Sequence, residues 1–167
     1  MLRQAAASLS MLAAASLPLM AAETAPTPLD IGAIFCTAAI AGDMSPIVPL
    51  LTPDLAATIA DAQQRSDAIQ AAAPDEKPPL GDGVPWSSWT DHADGCEVGV
   101  PKGDESRTVV PIGHRFADSP GADYTDRLLL VPVVVETGKP PIWRLDDIQF
   151  TDSTMRQALA SAFEGHK

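Results

Sequence analysis

Residues 128–150, LLLVPVVVETGKPPIWRLDDIQF, contain two expected strands and the turn between them. It opens on an apolar run typical of a central strand covered on both faces, in which Pro132 indicates a bulge or a partly unpaired edge. After a TGKPP turn, residues 142–150 carry apolar side chains at odd positions first and at even positions later. A strand changes face only through an extra residue, so the sequence predicts a β-bulge near Asp146-Asp147.

The residues upstream of this stretch also alternate with a period of two, which is typical of strands. One strand is expected to begin at Cys96 and a second to lie around Ile112. The second includes His114, whose side chain is expected on the concave face of the sheet. The residues that share a face are Cys96, Val98 and Val100 in the first strand and Val110, Ile112, His114 and Phe116 in the second.

Two helices are expected before the strands. Thr27 and Thr52 are each followed by a proline, and a capping hydroxyl before proline is a helix start signal. Gly42 is expected to end the first helix as its C-cap. The second helix is expected to end before Pro74, where a loop rich in proline, glycine and aspartate begins.

A closing helix is expected after the last strand, capped by Asp152 or Ser153. Its apolar stripe consists of Met155, Leu159, Ala162 and Phe163. Helices, then an antiparallel meander, then a helix predict an α+β domain. The expected architecture is a curved antiparallel sheet with the helices packed on one face and a closing C-terminal helix.

The N-terminus has the three parts of a cleavable export signal: the basic Arg3, an apolar run rich in alanine and leucine, and small residues before the expected cleavage after Ala22. The apolar run is too short for a bilayer span of about 20 residues, although an uncleaved anchor is the alternative. Residues 1–22 are therefore assigned to the signal and residues 23–167 to one domain. The expected location is the periplasm or the exterior, with no membrane span after cleavage.

The chain has 22 acidic and 11 basic residues, a formal net charge of −11. Such a surface repels phosphate backbones and anionic lipids, so neither nucleic acid nor an acidic membrane is expected as a partner. The two cysteines, Cys36 and Cys96, predict one disulfide in an oxidising compartment. They have no nearby histidine pair, which argues against a zinc site, and no metal or other cofactor is expected.

Four segments resemble bacterial exported domains of unknown function in the nuclear transport factor 2-like (cystatin-like) superfamily. The most specific are the closing strand and helix. The segments are LTPDL at 51–55, WTD at 89–91, WRLDDI at 143–148 and MRQAL at 155–159. The resemblance implies a cone-like fold, in which a curved sheet is wrapped around helices and leaves a pocket at the open end. It implies no single activity, because the superfamily includes isomerases, dehydratases, binding modules and immunity proteins.

Three residues are weak candidates for catalysis. Asp91 and His92 are adjacent, and a carboxylate beside an imidazole can bind a metal or act as acid and base. The alternative is a polar turn before the Cys96 strand. His114 would serve as a base if it faces a pocket, and otherwise is a core histidine with one hydrogen-bond partner.

The Asp146-Asp147 dipeptide is interpreted as structural. Adjacent residues on a strand point to opposite faces, so a proton-sharing pair is not expected. A salt bridge to Arg127 or Arg144 explains these carboxylates more simply.

Trp86, Trp89 and Tyr124 are candidates for lining a ligand pocket, with core packing as the alternative. The WSSW segment, residues 86–89, is expected to form a helical turn with its aromatic side chains tucked inward. The sequence has no nucleophile elbow, zinc-protease motif, phosphate loop or dinucleotide fingerprint.

The leading hypothesis is a non-catalytic exported module that binds a small apolar ligand, a peptide or another envelope protein through the open end of the cone. The second is an isomerase or dehydratase with His114 or Asp91 as its base. The third is an inhibitor or immunity partner of a secreted protein, for which an acidic surface would suit a basic target.

Overall fold

The computed structural model describes residues 25–81 and 83–165, and the expected export signal lies outside them. The described elements run from helices through a sheet to a helix, so the α+β prediction is confirmed. In chain order they are α1 (Pro28–Ala41), a 3-10 helix (Ser45–Leu50), α2 (Pro53–Ala72), β1 (Gly95–Val98), β2 (Lys102–Gly103), β3 (Thr108–Arg115), a second 3-10 helix (Pro120–Ala122), β4 (Tyr124–Val133), β5 (Ile142–Gln149) and α3 (Met155–Ser161).

Both N-terminal helices begin where the sequence predicts. The hydroxyls of Thr27 and Thr52 accept backbone N–H groups of the first turns of α1 and α2, and a proline follows each cap. Gly42 ends α1 in the left-handed conformation, with φ of 68°. Glycine takes that conformation without steric cost, so the chain can turn sharply into the first 3-10 helix.

The closing helix begins one residue later than predicted. Its cap is Thr154, and the prediction of Asp152 or Ser153 is wrong. Thr154 accepts the backbone N–H of Gln157, whose side chain in turn accepts the backbone N–H of Thr154. This reciprocal capping box satisfies two N–H groups at once, an advantage that neither alternative cap has with this helix.

Five antiparallel strands form one open sheet in the order β1-β3-β4-β5, and β2 also pairs with β3. Leu129 pairs with Asp147, whereas the next residue, Leu130, pairs with Leu145. Asp146 is therefore the extra residue of a bulge, as predicted. Pro132 lies beyond the last β3–β4 pair and is paired only with β5, which confirms the partly unpaired edge.

The core lies between the helices and one face of the sheet. Even-numbered side chains of β3 and β4 point into it, and the parity changes at the bulge in β5. The principal core residues are Ile31, Phe35, Ile47, Leu55, Val110, Ile112, Leu128, Leu130, Leu145, Ile148, Met155 and Leu159. No helix among residues 25–81 and 83–165 is long and apolar enough to cross a membrane.

Helix α1 lies very close to the sheet. A Cβ on Gly32 would stand 2.7 Å from Cγ1 of Val98, so only glycine permits this approach without a shift. One turn further along, Cys36 forms the predicted disulfide with Cys96 of β1, at a Cα–Cα distance of 5.3 Å. The crosslink fixes the end of α1 over the edge of the sheet, which is where the candidate site lies.

Candidate functional site

A cavity of about 140 Å³ lies between the end of α1, the segment 86–93 and the inner face of the sheet. We call it the inner cavity. It adjoins a wider depression of about 770 Å³, the outer hollow, which the segment 116–124 helps to form. Asp91, His92 and Tyr124 line both spaces and mark the junction between them.

The structure brings the six sequence-selected side chains to these two spaces. Trp86 and His114 line the inner cavity, Trp89 lines the outer hollow, and the other three line both. Trp89, however, is 56% exposed, and residues 87–91 form bends instead of the expected helical turn. Serine explains the difference: the Ser87 hydroxyl donates to the carbonyl of Trp89 at 2.7 Å and holds the backbone in a non-helical shape.

Asp126 is the centre of the polar contacts beneath the cavity. It lies on β4, is fully buried, and has Oδ2 3.2 Å from Nε2 of His114. This is an ion-pair distance, although the ring nitrogen is not aligned for a hydrogen bond. Ser88 donates its backbone N–H to Oδ2 at 3.0 Å and its hydroxyl to Oδ1. A buried carboxylate needs such partners, because its transfer from water is otherwise costly.

Ser88 in turn connects the segment 86–93 to the end of the sheet. Its hydroxyl oxygen accepts the backbone N–H of Thr151 at 2.9 Å. One serine therefore joins Asp126, the segment that covers the cavity, and the residues that follow β5. The wall formed by Trp86 and Trp89 is positioned by this contact with a buried charge.

Tyr124 stands at the junction with its ring stacked on that of His114, at a centroid distance of 4.4 Å and an interplanar angle of 14°. Its phenol oxygen is buried and has no hydrogen-bond partner among the residues described. Burial is the main cause that raises the pKa of Tyr124, and the charges of Asp126 and Asp91 raise it further. Weak contacts of the phenol with the Ser87 hydroxyl and the Trp89 backbone, which fall short of hydrogen-bond geometry, lower the pKa in part.

Asp91 and His92 do not form an acid–base pair. Nε2 of His92 lies 3.0 Å from the carbonyl oxygen of Ile40, in the last turn of α1. This contact anchors the segment 86–93 to that helix. Asp91 is exposed and forms neither a hydrogen bond nor an ion pair within the described part of the chain. No group of three His, Cys, Asp or Glu side chains within 25–81 and 83–165 is arranged to hold a metal ion.

The Asp146-Asp147 dipeptide lies outside the cavity lining. Arg156 of α3 forms an ion pair with Asp146, with Nη2 3.3 Å from Oδ1, so the expected partners Arg127 and Arg144 are wrong. The long side chain of Arg156 reaches back from α3 to the bulge, a contact that proximity along β5 does not suggest. Asp147 accepts the backbone N–H groups of Ile148 and Arg156.

Sequence reasoning missed Asp126 and Ser88, the two residues that organise the site. A signal for Asp126 was present, because it shares strand parity with Leu128 and Leu130, both of which are fully buried. An aspartate on an apolar strand face requires a partner, and the facing strand offers His114. Ser88 carries no comparable local signal, since its role depends on a residue 38 positions away.

Comparisons of the chain with protein-family models, with curated proteins and with solved structures found no match. The geometry alone therefore carries the functional argument. An aromatic wall, an unpartnered phenol oxygen and an exposed carboxylate around connected spaces can hold a small molecule that has both an apolar body and a polar group.

Proposed function

We propose that this protein is an exported, non-catalytic binding module that takes a small ligand in the inner cavity and outer hollow. The observation that carries the proposal is the pair of adjoining spaces, which are lined by aromatic side chains and by the exposed carboxylate of Asp91 at their junction.

The walls of these two spaces suit the apolar part of a ligand. Phe35 and Trp86 line the inner cavity, and Trp89 and Phe116 line the hollow. Ligand sites commonly combine such walls with a few convergent polar groups, and together the two spaces fall in the usual size range of about 300–1,000 Å³.

The orientation of the two imidazoles favours binding over catalysis. His114 directs Nε2 toward the buried Asp126, and His92 directs Nε2 toward the carbonyl of Ile40. A general base needs its nitrogen within reach of a substrate proton. Here both of these ring nitrogens face the protein itself.

An enzyme of the isomerase or dehydratase class is the second candidate, and one observation favours it. A carboxylate that faces an imidazole, as Asp126 faces His114, is the arrangement that orients and charges a catalytic histidine. Rotation of the ring toward the inner cavity would make His114 a base. Turnover of a small carbonyl compound by the wild type, abolished in His114→Gln, would establish this candidate.

Location and family membership are part of the same proposal. The Cys36–Cys96 disulfide supports an oxidising compartment such as the periplasm. A sheet packed on helices, with a cavity at one end of α1, supports the resemblance to the nuclear transport factor 2-like superfamily. Neither feature depends on the identity of the ligand.

A melting-temperature screen with lipids and small metabolites tests the binding function. We expect at least one compound to raise Tm, with a smaller shift in Trp89→Ala, which removes an exposed aromatic wall of the outer hollow. Thr125→Ala, at an exposed position of β4, is the matched control and should respond as the wild type does. A screen without any shift, and no partner that co-purifies with the protein, would contradict the proposal.

A further inference from the structure

We propose that the ligand is an organic cation, an amine or quaternary ammonium that carries an apolar or aromatic body, with its charge in the outer hollow. This inference rests on the proposed binding function and adds the chemical class of the ligand. Three features of the site support it: the charges in its lining, the aromatic faces, and the field at the junction.

The lining of the two spaces contains carboxylates and neither lysine nor arginine. Asp123 is already engaged, since it accepts the backbone N–H of Phe116 at 2.9 Å and lies 3.6 Å from Nη1 of Arg115. Asp91 is the carboxylate that remains without a partner among the described residues. It stands at the junction, where a bound cation would be within its reach.

The outer hollow also presents aromatic faces. Trp89, Phe116 and Tyr124 line it, and Trp89 is more than half exposed. Tryptophan and tyrosine faces attract cations through the negative potential above the ring. A carboxylate beside such faces is the combination that binds ammonium groups, whereas it repels carboxylates and phosphates.

The positive groups near the hollow are balanced by neighbouring acids. Arg115 is paired with Glu97, with Nη2 2.6 Å from Oε2, and also approaches Asp123. Nε2 of His114 lies 3.2 Å from Oδ2 of Asp126. His92 contacts the carbonyl of Ile40. The upward effect of Asp126 and Asp91 on the pKa of Tyr124 agrees with a negative field at the junction.

Three probes of similar size and different charge test the inference: phenethylamine, 2-phenylethanol and phenylacetate. Isothermal titration of the mature protein at neutral pH should give an affinity for the amine about tenfold higher than for the alcohol. Phenylacetate should bind most weakly. Equal affinity for amine and alcohol, or tighter binding of phenylacetate, would overturn the cation inference and leave the binding function standing.

Two variants test whether the carboxylate of Asp91 binds the ammonium group of the ligand. Asp91→Asn should lower the affinity for phenethylamine about five- to tenfold and leave 2-phenylethanol unchanged. Asp67→Asn, on an exposed position of α2, should change neither. An unchanged amine affinity in Asp91→Asn would overturn the assignment.

The binding function and the cation inference are contradicted by different results. If no probe binds while other compounds raise Tm in the screen, the cation inference alone is wrong. If neither the probes nor the screened compounds bind, the proposed function is wrong as well.

Discussion

Asp126 of β4 lies diagonally across the sheet from His114 of β3, with Oδ2 3.2 Å from Nε2. The strand register pairs His114 directly with Tyr124, so the carboxylate and the phenol flank the imidazole on neighbouring positions of one sheet face. Diagonal neighbours on a sheet face are within reach of one another when the side chains are long or aromatic. The three residues therefore form one unit under the cavity.

Removal of the buried carboxylate should destabilise the protein strongly. Asp126→Ala leaves the backbone N–H and the hydroxyl of Ser88 without their acceptor, and each hydrogen bond to a carboxylate contributes about 1.5–3 kcal/mol. Urea denaturation of purified protein measures the difference. Asp67→Ala, an exposed aspartate on α2, is the control and should stay within about 0.5 kcal/mol of wild type.

A double-mutant cycle separates the pair from the rest of the carboxylate's contacts. We expect His114→Ala and Asp126→Ala together to cost less than the sum of the single variants, by about 1–3 kcal/mol. Additive effects would show that the contact between Asp126 and His114 contributes nothing to the free energy of unfolding and that Ser88 alone holds Asp126.

Tyr124 should ionise above the ordinary tyrosine pKa of about 10. It is the chain's single tyrosine, so absorbance at 295 nm during a pH titration reports this residue alone. In guanidinium chloride the midpoint should return to about 10. Asp91→Asn should lower the native midpoint, because the charge of Asp91 is among the causes of the shift.

The same raised pKa sets a direction for stability. The folded protein holds the phenol proton of Tyr124 more tightly than the unfolded chain does. The contribution of this proton to the free energy of unfolding is therefore fully present below about pH 10. It is lost as pH rises through the folded pKa. A native midpoint equal to that in denaturant would contradict both statements.

Features encoded within one element could be predicted from the sequence. The helix caps Thr27, Thr52 and Gly42 contact backbone groups only a few residues away. The local sequence pattern is therefore enough to predict them. The bulge at Asp146 follows from a change of parity within β5 itself. The disulfide is an exception, since it joins two elements 60 residues apart; it could be predicted because the chain has two cysteines and an expected export signal.

Other features that depend on residues far apart in the chain could not be predicted. The segment around Ser88 has no periodicity, and its shape is set by Asp126 and Thr151. The inward position expected for Trp89 was wrong for that reason. Arg156 crosses from α3 to the bulge, a contact that only the folded arrangement of α3 beside β5 creates.

Arg156 should be sensitive even to a conservative change. Its guanidinium donates to the carbonyl of Asp146 through Nε and Nη2, at 3.1 and 2.9 Å, and to Asp54 of α2 through Nη1 at 2.7 Å. A lysine ammonium cannot span these acceptors. Arg156→Lys should therefore lose about 1–3 kcal/mol in urea denaturation.

Arg127→Lys provides the matched comparison, since Arg127 is exposed on the opposite face of β4. It should stay within about 0.5 kcal/mol of wild type. An equal loss in both variants would mean that the bulge is not held by Arg156.

The disulfide should contribute both stability and the shape of the site. Cys36 and Cys96 are 60 residues apart, and the chain-entropy model gives about 4 kcal/mol for a loop of that length. Cys36→Ser/Cys96→Ser should show this loss in urea denaturation, and wild type in reductant should match it. Cys96 and Phe35, the residue before Cys36, both line the inner cavity. Loss of the disulfide should therefore also reduce the Tm shift caused by any ligand. Full ligand response in the reduced protein would mean that tight packing of α1 at Gly32 is sufficient to keep the cavity in place.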